Sequence, residues 1–487
     1  DWSSDVCSSD LLGDACVAKG VSWNVGRTFF REEEVYNFNL LPQPDHKRPG
    51  MINLQQYYLE EYEVKRAQEL PNLDLRFRNK VVSVAPQGEG ATLQIETPDG
   101  IYTLETDWLV VADGARSGIR RMMDLEIDGK IFMDRFLIAD VVMKADFPSE
   151  RWFWFDPPFH PGQSVLLHRQ SDSVYRIDFQ LGWQADPEEE KKPENVIPRI
   201  KAMLGDDREF ELEWVSVYTF QCRRMNDFRH GRVLFVGDAA HQVSPFGARG
   251  ANSGIQDTDN LCWKLKLVIE GKAPSSLLDT YSDERGFAAD ENILNSTRST
   301  DFITPKSKIS LTFRNAVLSL ARDYPFARAL VNSGRLSVPS ILSESRLNTP
   351  DSASFAGDMV PGAPMDDAPM RENGENFWLL DRVGNRFMAL VYVDNPSAVD
   401  AVFAQKMQAL AKAPIPVEVV LVSPKVAVAP AGLRTFEDYT GRFAERYDCA
   451  PGTAYLVRPD QHVAARCRTA DPASIEAALA VATCNVQ

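Results

Sequence analysis

The stretch RVLFVGDAAHQVSPFGARGANSGIQD, residues 232–257, restricts the fold more than any other part of the chain. Val233 to Val236 is an uninterrupted apolar run, which predicts a strand covered on both faces, as in a doubly wound α/β sheet. Gly237 and Asp238 follow at once, and ligands on such sheets sit beyond the carboxyl ends of the strands. A carboxylate there can accept hydrogen bonds from sugar hydroxyls. Gly247, Gly250 and Gly254 then let the backbone approach a flat or anionic ligand, and a helix beginning near Asn252 offers free N–H groups. A Gly-Asp pair after a strand also serves as a plain turn or N-cap, so the PFGARGAN continuation carries the distinction.

The remaining composition narrows the class. With 487 residues, 44% of them hydrophobic, the chain can bury a large core spread over two or three domains. A net charge of −16, from 53 basic and 69 acidic residues with no long basic run, argues against nucleic acid as a partner. The longest apolar stretches, Trp108 to Ala112 and Pro416 to Val422, are strand-sized, so no membrane span is expected. Seven scattered cysteines without a CxxC pair suit neither a disulfide framework nor a metal site and point to a reducing, cytoplasmic setting. The first residues, DWSSDVCSSDL, lack the basic and apolar regions of a signal peptide. They read as an adventitious leader over 1–11 or as a disordered Ser/Asp-rich one.

Pattern along the chain divides it further. Residues 12–131 read as the first part of a ligand-binding α/β domain, with strands near 21–50 that belong to a second sheet and a helix over 53–70. Residues 132–229 are strand-rich with aromatic faces and one helix at 194–204. Residues 230–345 return to the first domain and are largely helical. Residues 346–376 form a Ser/Pro/Asp/Gly-rich linker. In 377–487, strands alternate with helices, FEDYTGRFAERY among the latter, and close on a hairpin turned by residues 458–461.

The segment GDAAHQVSPFGARGANSGIQD resembles the second flavin-contact motif of the class A flavoprotein aromatic hydroxylases, the para-hydroxybenzoate and phenol hydroxylase family. The resemblance places Asp238 on the FAD ribityl or ribose region and lays Pro245, Gly247, Ala248, Gly250 and Asn252, with Gly237 before them, against the flavin. DGARSGIR is similar to the family's Asp-Gly segment and implies FAD and nicotinamide contacts at Asp113, Gly114, Ser117 and Arg120. Gln56 matches the family's glutamine near the flavin. The C-terminal unit resembles the thioredoxin-like domain of the hydroxyphenylpropionate hydroxylase branch, without CxxC, so its expected role is packing or a homodimer contact. The family's G-x-G-x-x-G, which holds the FAD pyrophosphate at a helix N-terminus, does not occur here. The expected fold is therefore an FAD-binding doubly wound sheet whose first βαβ unit is missing, a mixed-sheet substrate domain and a thioredoxin-like domain.

What the resemblance implies for activity is an NAD(P)H- and O2-dependent monooxygenase that hydroxylates a small phenolic substrate through a flavin C4a-hydroperoxide. His168, Tyr175 and Tyr218 are candidates for the group that helps ionise the phenol, and Arg169 or Arg176 for anchoring an acidic side chain. His241 reads as structural. Two alternatives stand beside this reading: a polyketide- or antibiotic-modifying monooxygenase on the same scaffold, and a truncated remnant that acts only as an interaction protein.

Overall fold

The computed structural model describes residues 12–332, 338–425 and 432–486, so the expected leader at 1–11 lies outside the described residues. Its largest element is an eight-stranded mixed sheet. β1 (Val25–Phe30) and β2 (Glu33–Asn39) come early in the chain, while β4 (Asp128–Val142), β5 (Arg151–Phe155), β6 (Ser164–Arg169), β7 (Val174–Leu181) and β8 (Glu211–Arg224) come later. With the short segment His241–Gln242 at one edge, they run in the order His241–Gln242, β8, β4, β7, β6, β5, β1, β2. Every pairing is antiparallel except β5 with β1.

Alternation along these strands creates two unlike faces. Leu137, Ala139, Val141, Tyr175, Ile177 and Phe179 pack on one face with Val196 and Ile200 of the helix Pro193–Leu204. The other face carries Phe136, Phe153, Phe155, Leu166 and Phe220, which pack against Phe246 and the helical segment beyond it.

β3 (Leu109–Val111) pairs in parallel with β9 (Val233–Phe235). With Arg229–His230 they form a three-stranded sheet among the described residues. Val233, Leu234 and Phe235 are fully buried, as the continuous apolar run predicts, whereas Val110 on β3 is 44% exposed. Two long helices follow the β9 loop, α1 (Gly250–Ile269) and α2 (Asp279–Ile303).

The C-terminal sheet has seven strands. At its centre β10 (Phe387–Tyr392) pairs in parallel with β11 (Val417–Ser423), which pairs in parallel with β12 (Arg434–Glu437). On its other side β10 meets the antiparallel hairpin of β13 (Ala454–Val457) and β14 (Val463–Cys467), turned at 458–461 as expected. The FEDYTGRFAERY segment differs from expectation. Its first residues finish β12, and only Arg442–Arg446 is helical. Gly441 takes φ 75° and the Asp438 carboxylate accepts from the N–H groups of Phe443 and Ala444, so a turn and cap replace the first half of the expected helix. No helix among the described residues is long and apolar enough to cross a membrane.

Candidate functional site

Both loops singled out in the sequence lie at the ends of the parallel strands, and one side chain joins them. After β3, Asp113 accepts the Ile119 N–H at 3.0 Å, and buried Ser117 caps the short helix Gly118–Met122 by accepting from Arg120 N at 3.0 Å. Gly114 has φ 78° with open space where a side chain would stand. Arg120 is buried; its guanidinium donates to the carbonyls of Ala239 (2.6 Å) and Ala115 (3.2 Å), spanning from the first loop to the second. Burial pulls its pKa down, against the opposing charge of Asp113. Gln242 adds a second tie to the Ala115 carbonyl at 2.9 Å.

In the second loop Gly237 takes φ 56°, and the Gly254 Cα lies 3.7 Å from where its Cβ would stand. Gly254 therefore lets α1 pack directly on the strand-end turn. Asp238 is exposed, yet surrounding protein desolvates its carboxyl enough to raise the pKa. Pro245 accepts the Ala248 N–H at 3.1 Å; Gly247 (φ 108°) and Ala248 (φ 52°) turn the chain, and the Asn252 amide holds the Ala248 carbonyl at 2.6 Å. Gly250 then opens α1. The result is a tight turn, here called the cradle, with left-handed backbone at Gly247 and Ala248, closed by Asn252.

Asp257, which the sequence reading missed, anchors this cradle from beneath. It is fully buried and accepts from Gly237 N (2.9 Å), His241 Nε2 (2.6 Å) and Arg285 Nε (2.7 Å). Burial alone would raise its pKa, but His241 and Arg285 hold it below the usual carboxylate value. His241 is structural as expected, buried with its ring stacked on Phe228 at 5.5 Å. A second network lies further along α1 and α2. Glu284 accepts from Arg458 at 2.7 and 2.9 Å and from Lys264 at 2.7 Å, while Asp460 accepts from Arg458 at 2.9 and 2.5 Å and from Asn260 at 3.1 Å. All four charged groups are buried, and Arg458 also lies over the Trp263 ring.

Gln56 is exposed and donates to Glu60 on its own helix at 2.7 Å. The buried glutamine is Gln55, which bridges to Ser171 through that residue's carbonyl at 3.1 Å and its hydroxyl. The three candidate ionising groups do not share a face. Tyr175 points to the α-helical side of the eight-stranded sheet and donates to the Ala145 carbonyl at 2.9 Å, so it stands away from Phe246. Arg169 pairs opposite Tyr175 and shares that side. His168 and Tyr218 stand on the face that meets Phe246, as does Arg176, whose guanidinium is held in a double contact by Asp140 at 2.8 Å. Phe246, between Pro245 and Gly247, meets the rings of Phe136 at 5.0 Å and Phe220 at 5.2 Å. The loop after β9 and this face of the sheet are therefore in direct contact.

The geometry is that of a paired-strand α/β core with a glycine-lined loop at its carboxyl end, facing an aromatic sheet. The sequence profile described as "FAD binding domain" matches residues 12–296, and one described as "HcaD C-terminal domain" matches residues 370–482. The chain belongs to the FAD binding domain family. It is 28% identical over 408 residues to the 3-(3-hydroxy-phenyl)propionate/3-hydroxycinnamic acid hydroxylase of Klebsiella pneumoniae (strain 342), an alignment covering 82% of this chain and 71% of that protein. The enzyme of the same name from Escherichia coli O139:H28 is 31% identical over 256 residues, 52% of this chain and 46% of that one. In fold it is similar to the flavin-dependent monooxygenase PieE, solved with FAD and substrate (TM-score 0.80, 22% identity, 98% of this chain and 90% of that one). It is also similar to aklavinone-11 hydroxylase, solved with FAD and aklavinone (TM-score 0.74, 20% identity, 99% and 90%).

Proposed function

We propose that this chain is an FAD-dependent monooxygenase that uses NAD(P)H and O2 to hydroxylate a phenolic substrate held between the glycine cradle and the eight-stranded sheet. The observation that carries the reading is the contact of Phe246 with Phe136 and Phe220, which puts the cradle's loop against an aromatic-lined face. Bound FAD would supply electron acceptance from NAD(P)H and activation of O2. The chain's own residues do the rest. Asp238 binds a sugar hydroxyl; Gly237, Pro245, Gly247, Ala248, Gly250 and Asn252 present backbone to the ring; Asp113, Gly114, Ser117 and Arg120 shape the neighbouring loop. Phe136, Phe220 and Phe246 exclude water and orient an aromatic ring.

A small phenol carrying a short side chain suits the similarity to the hydroxyphenylpropionate hydroxylases. The polyketide alternative is favoured by one observation, the fold similarity to PieE and aklavinone-11 hydroxylase over nearly the whole chain. For the C-terminal unit we infer a thioredoxin-like arrangement, supported by its parallel β10–β11 pair and the antiparallel hairpin beside it, with a role in packing. Residence in the cytoplasm and a homodimer belong to the same proposal.

Two measurements test it. Substrate-stimulated NAD(P)H oxidation across a panel of hydroxyphenyl acids and polycyclic phenols separates the first reading from the second. Asp238→Ala is expected to release most FAD on gel filtration; retention equal to the parent would assign Asp238 to the turn alone.

A further inference from the structure

The face of the sheet that meets Phe246 carries polar groups that the fold does not use. Counting rows away from the flavin loop, the first holds Phe155, Ser164, Gln180, Phe136 and Tyr218 side by side across β5, β6, β7, β4 and β8. The second holds Phe153, Leu166, Asp178, Ile138 and Ser216, and the third Arg151, His168, Arg176, Asp140 and Trp214. Each row is two residues further along the strands, about 7 Å. One atom in each of four side chains is buried without a protein hydrogen-bond partner: Ser164 Oγ, Asp178 Oδ1, Ser216 Oγ and His168 Nε2. Buried polar atoms are nearly always satisfied, so four orphans over three adjacent rows mark a surface built for a polar group from outside the chain.

Asp178 is the strongest of them. Its row neighbours Leu166 and Ile138 are apolar, and its Oδ1 is buried although the residue as a whole is only half-buried. The charged and titratable groups around it are Arg176 on its own strand, Asp140 on β4, Arg151 on β5 and His168 on β6. Arg176 is already committed to Asp140, so its charge is largely offset. Burial pushes the Asp178 carboxyl up to about 7, against the pull of Arg176 and Arg151. The same burial pushes His168 down to about 3, leaving a neutral imidazole that is a poor proton acceptor at physiological pH. A general base works best when its pKa lies near the operating pH, which separates the two groups.

We propose that Asp178 is the general base of this site, with its Oδ1 taking the proton from the hydroxyl of a phenol whose ring lies against Phe136 and Phe246. This rests on the phenol hydroxylase reading above. The phenolic O–H bond breaks, its electron pair stays on oxygen and enriches the ring, and the proton moves to Asp178. The same carboxyl returns the proton to that oxygen once the hydroxylated ring becomes aromatic again, so no proton is gained or lost at Asp178 over the cycle. His168, on the diagonal across β6 and β7, supplies a hydrogen bond to the phenol oxygen or to a water beside it.

The test uses the full chain loaded with FAD, with 3-(3-hydroxyphenyl)propionate as the probe. The parent is expected to show a kcat that rises with pH through about 7. Asp178→Asn should lower kcat about 100-fold or more, the usual size of a base contribution, leave KM within about threefold and erase that acid limb. Asp178→Glu should restore part of the rate. A ring-fluorinated probe, whose hydroxyl ionises unaided near neutral pH, should recover most of the Asn variant's loss. An Asn variant within threefold of the parent, or one no better with the fluorinated probe, overturns the assignment. Loss of the limb in His168→Gln instead would move the base to His168 and overturn it equally. If the parent oxidises no NAD(P)H in response to any phenol, the hydroxylase reading itself falls, a result visible before any variant is made.

Discussion

The two buried polar regions of this molecule differ in one respect that separates architecture from chemistry. Further along α1 and α2, Glu284, Lys264, Arg458 and Asp460 balance in charge, and their hydrogen bonds are satisfied within the chain. On the eight-stranded sheet, Asp178, His168, Ser164 and Ser216 each keep an atom without a partner. The pKa directions follow the same division. Attraction to Arg458 and Lys264 outweighs burial at Glu284 and holds its carboxyl far below the usual range, whereas burial wins at Asp178. A satisfied network defines how elements pack, while an unsatisfied one is tolerated only where something else completes it.

The comparison can be broken at either end. Arg458→Met should cost the most, about 3–5 kcal/mol in urea unfolding, because it leaves Glu284 and Asp460 buried with too few cations. A loss below about 1 kcal/mol would show that water reaches this cluster and that it is not a packing device.

Asp178→Asn should act in the opposite direction. A carboxyl whose folded pKa lies above its unfolded value contributes stability at low pH that is lost as pH rises through the folded value. The parent should therefore weaken between about pH 4 and pH 7, and the Asn variant should be the more stable at pH 8, by an amount on the order of 1–4 kcal/mol. Equal melting profiles for the two proteins at pH 5 and pH 8 would place Asp178 in contact with solvent.

The smallest effects sharpen the distinction between neighbours. Gln55→Ala removes the buried partner of Ser171 and should cost about 1–3 kcal/mol. Gln56→Ala loses one exposed contact on a helix surface and should stay within about 0.5 kcal/mol. Reversal of that order in thermal melts would mean that Gln56 is the glutamine committed to the fold.

These contrasts also show what the sequence made legible. The cradle could be read directly, because a strand end, an aspartate and spaced glycines impose local backbone geometry. The hairpin at 458–461 and the helix ending at Leu204 were legible for the same reason. Alternation in VYRIDFQL separates Tyr175 from Arg176 and Asp178, but it does not say which set looks toward Phe246. That depends on β7 lying between β4 and β6 and on Phe246 reaching the sheet, both non-local facts. Asp178 as a lone acid in a strand carries no local signal. Asp257 looks like an ordinary residue of an amphipathic helix until His241 and Arg285 are brought to it. In FEDYTGRFAERY, helical spacing was outweighed by the left-handed Gly441 and the capping Asp438.

The ion pair between Glu284 and Arg458 joins residues 174 positions apart. On a ribosome adding about 5–20 residues per second, the helix bearing Glu284 emerges roughly 9–35 s before its partner exists. During that interval Glu284 and Lys264 have to stay hydrated, and the surface around Trp263 and Leu267 that later packs against Phe387, Ala389 and their neighbours lies open. The nascent protein is thus wet around Glu284, Lys264 and Trp263 until the C-terminal sheet docks, and the cell's folding helpers have their longest access to it there.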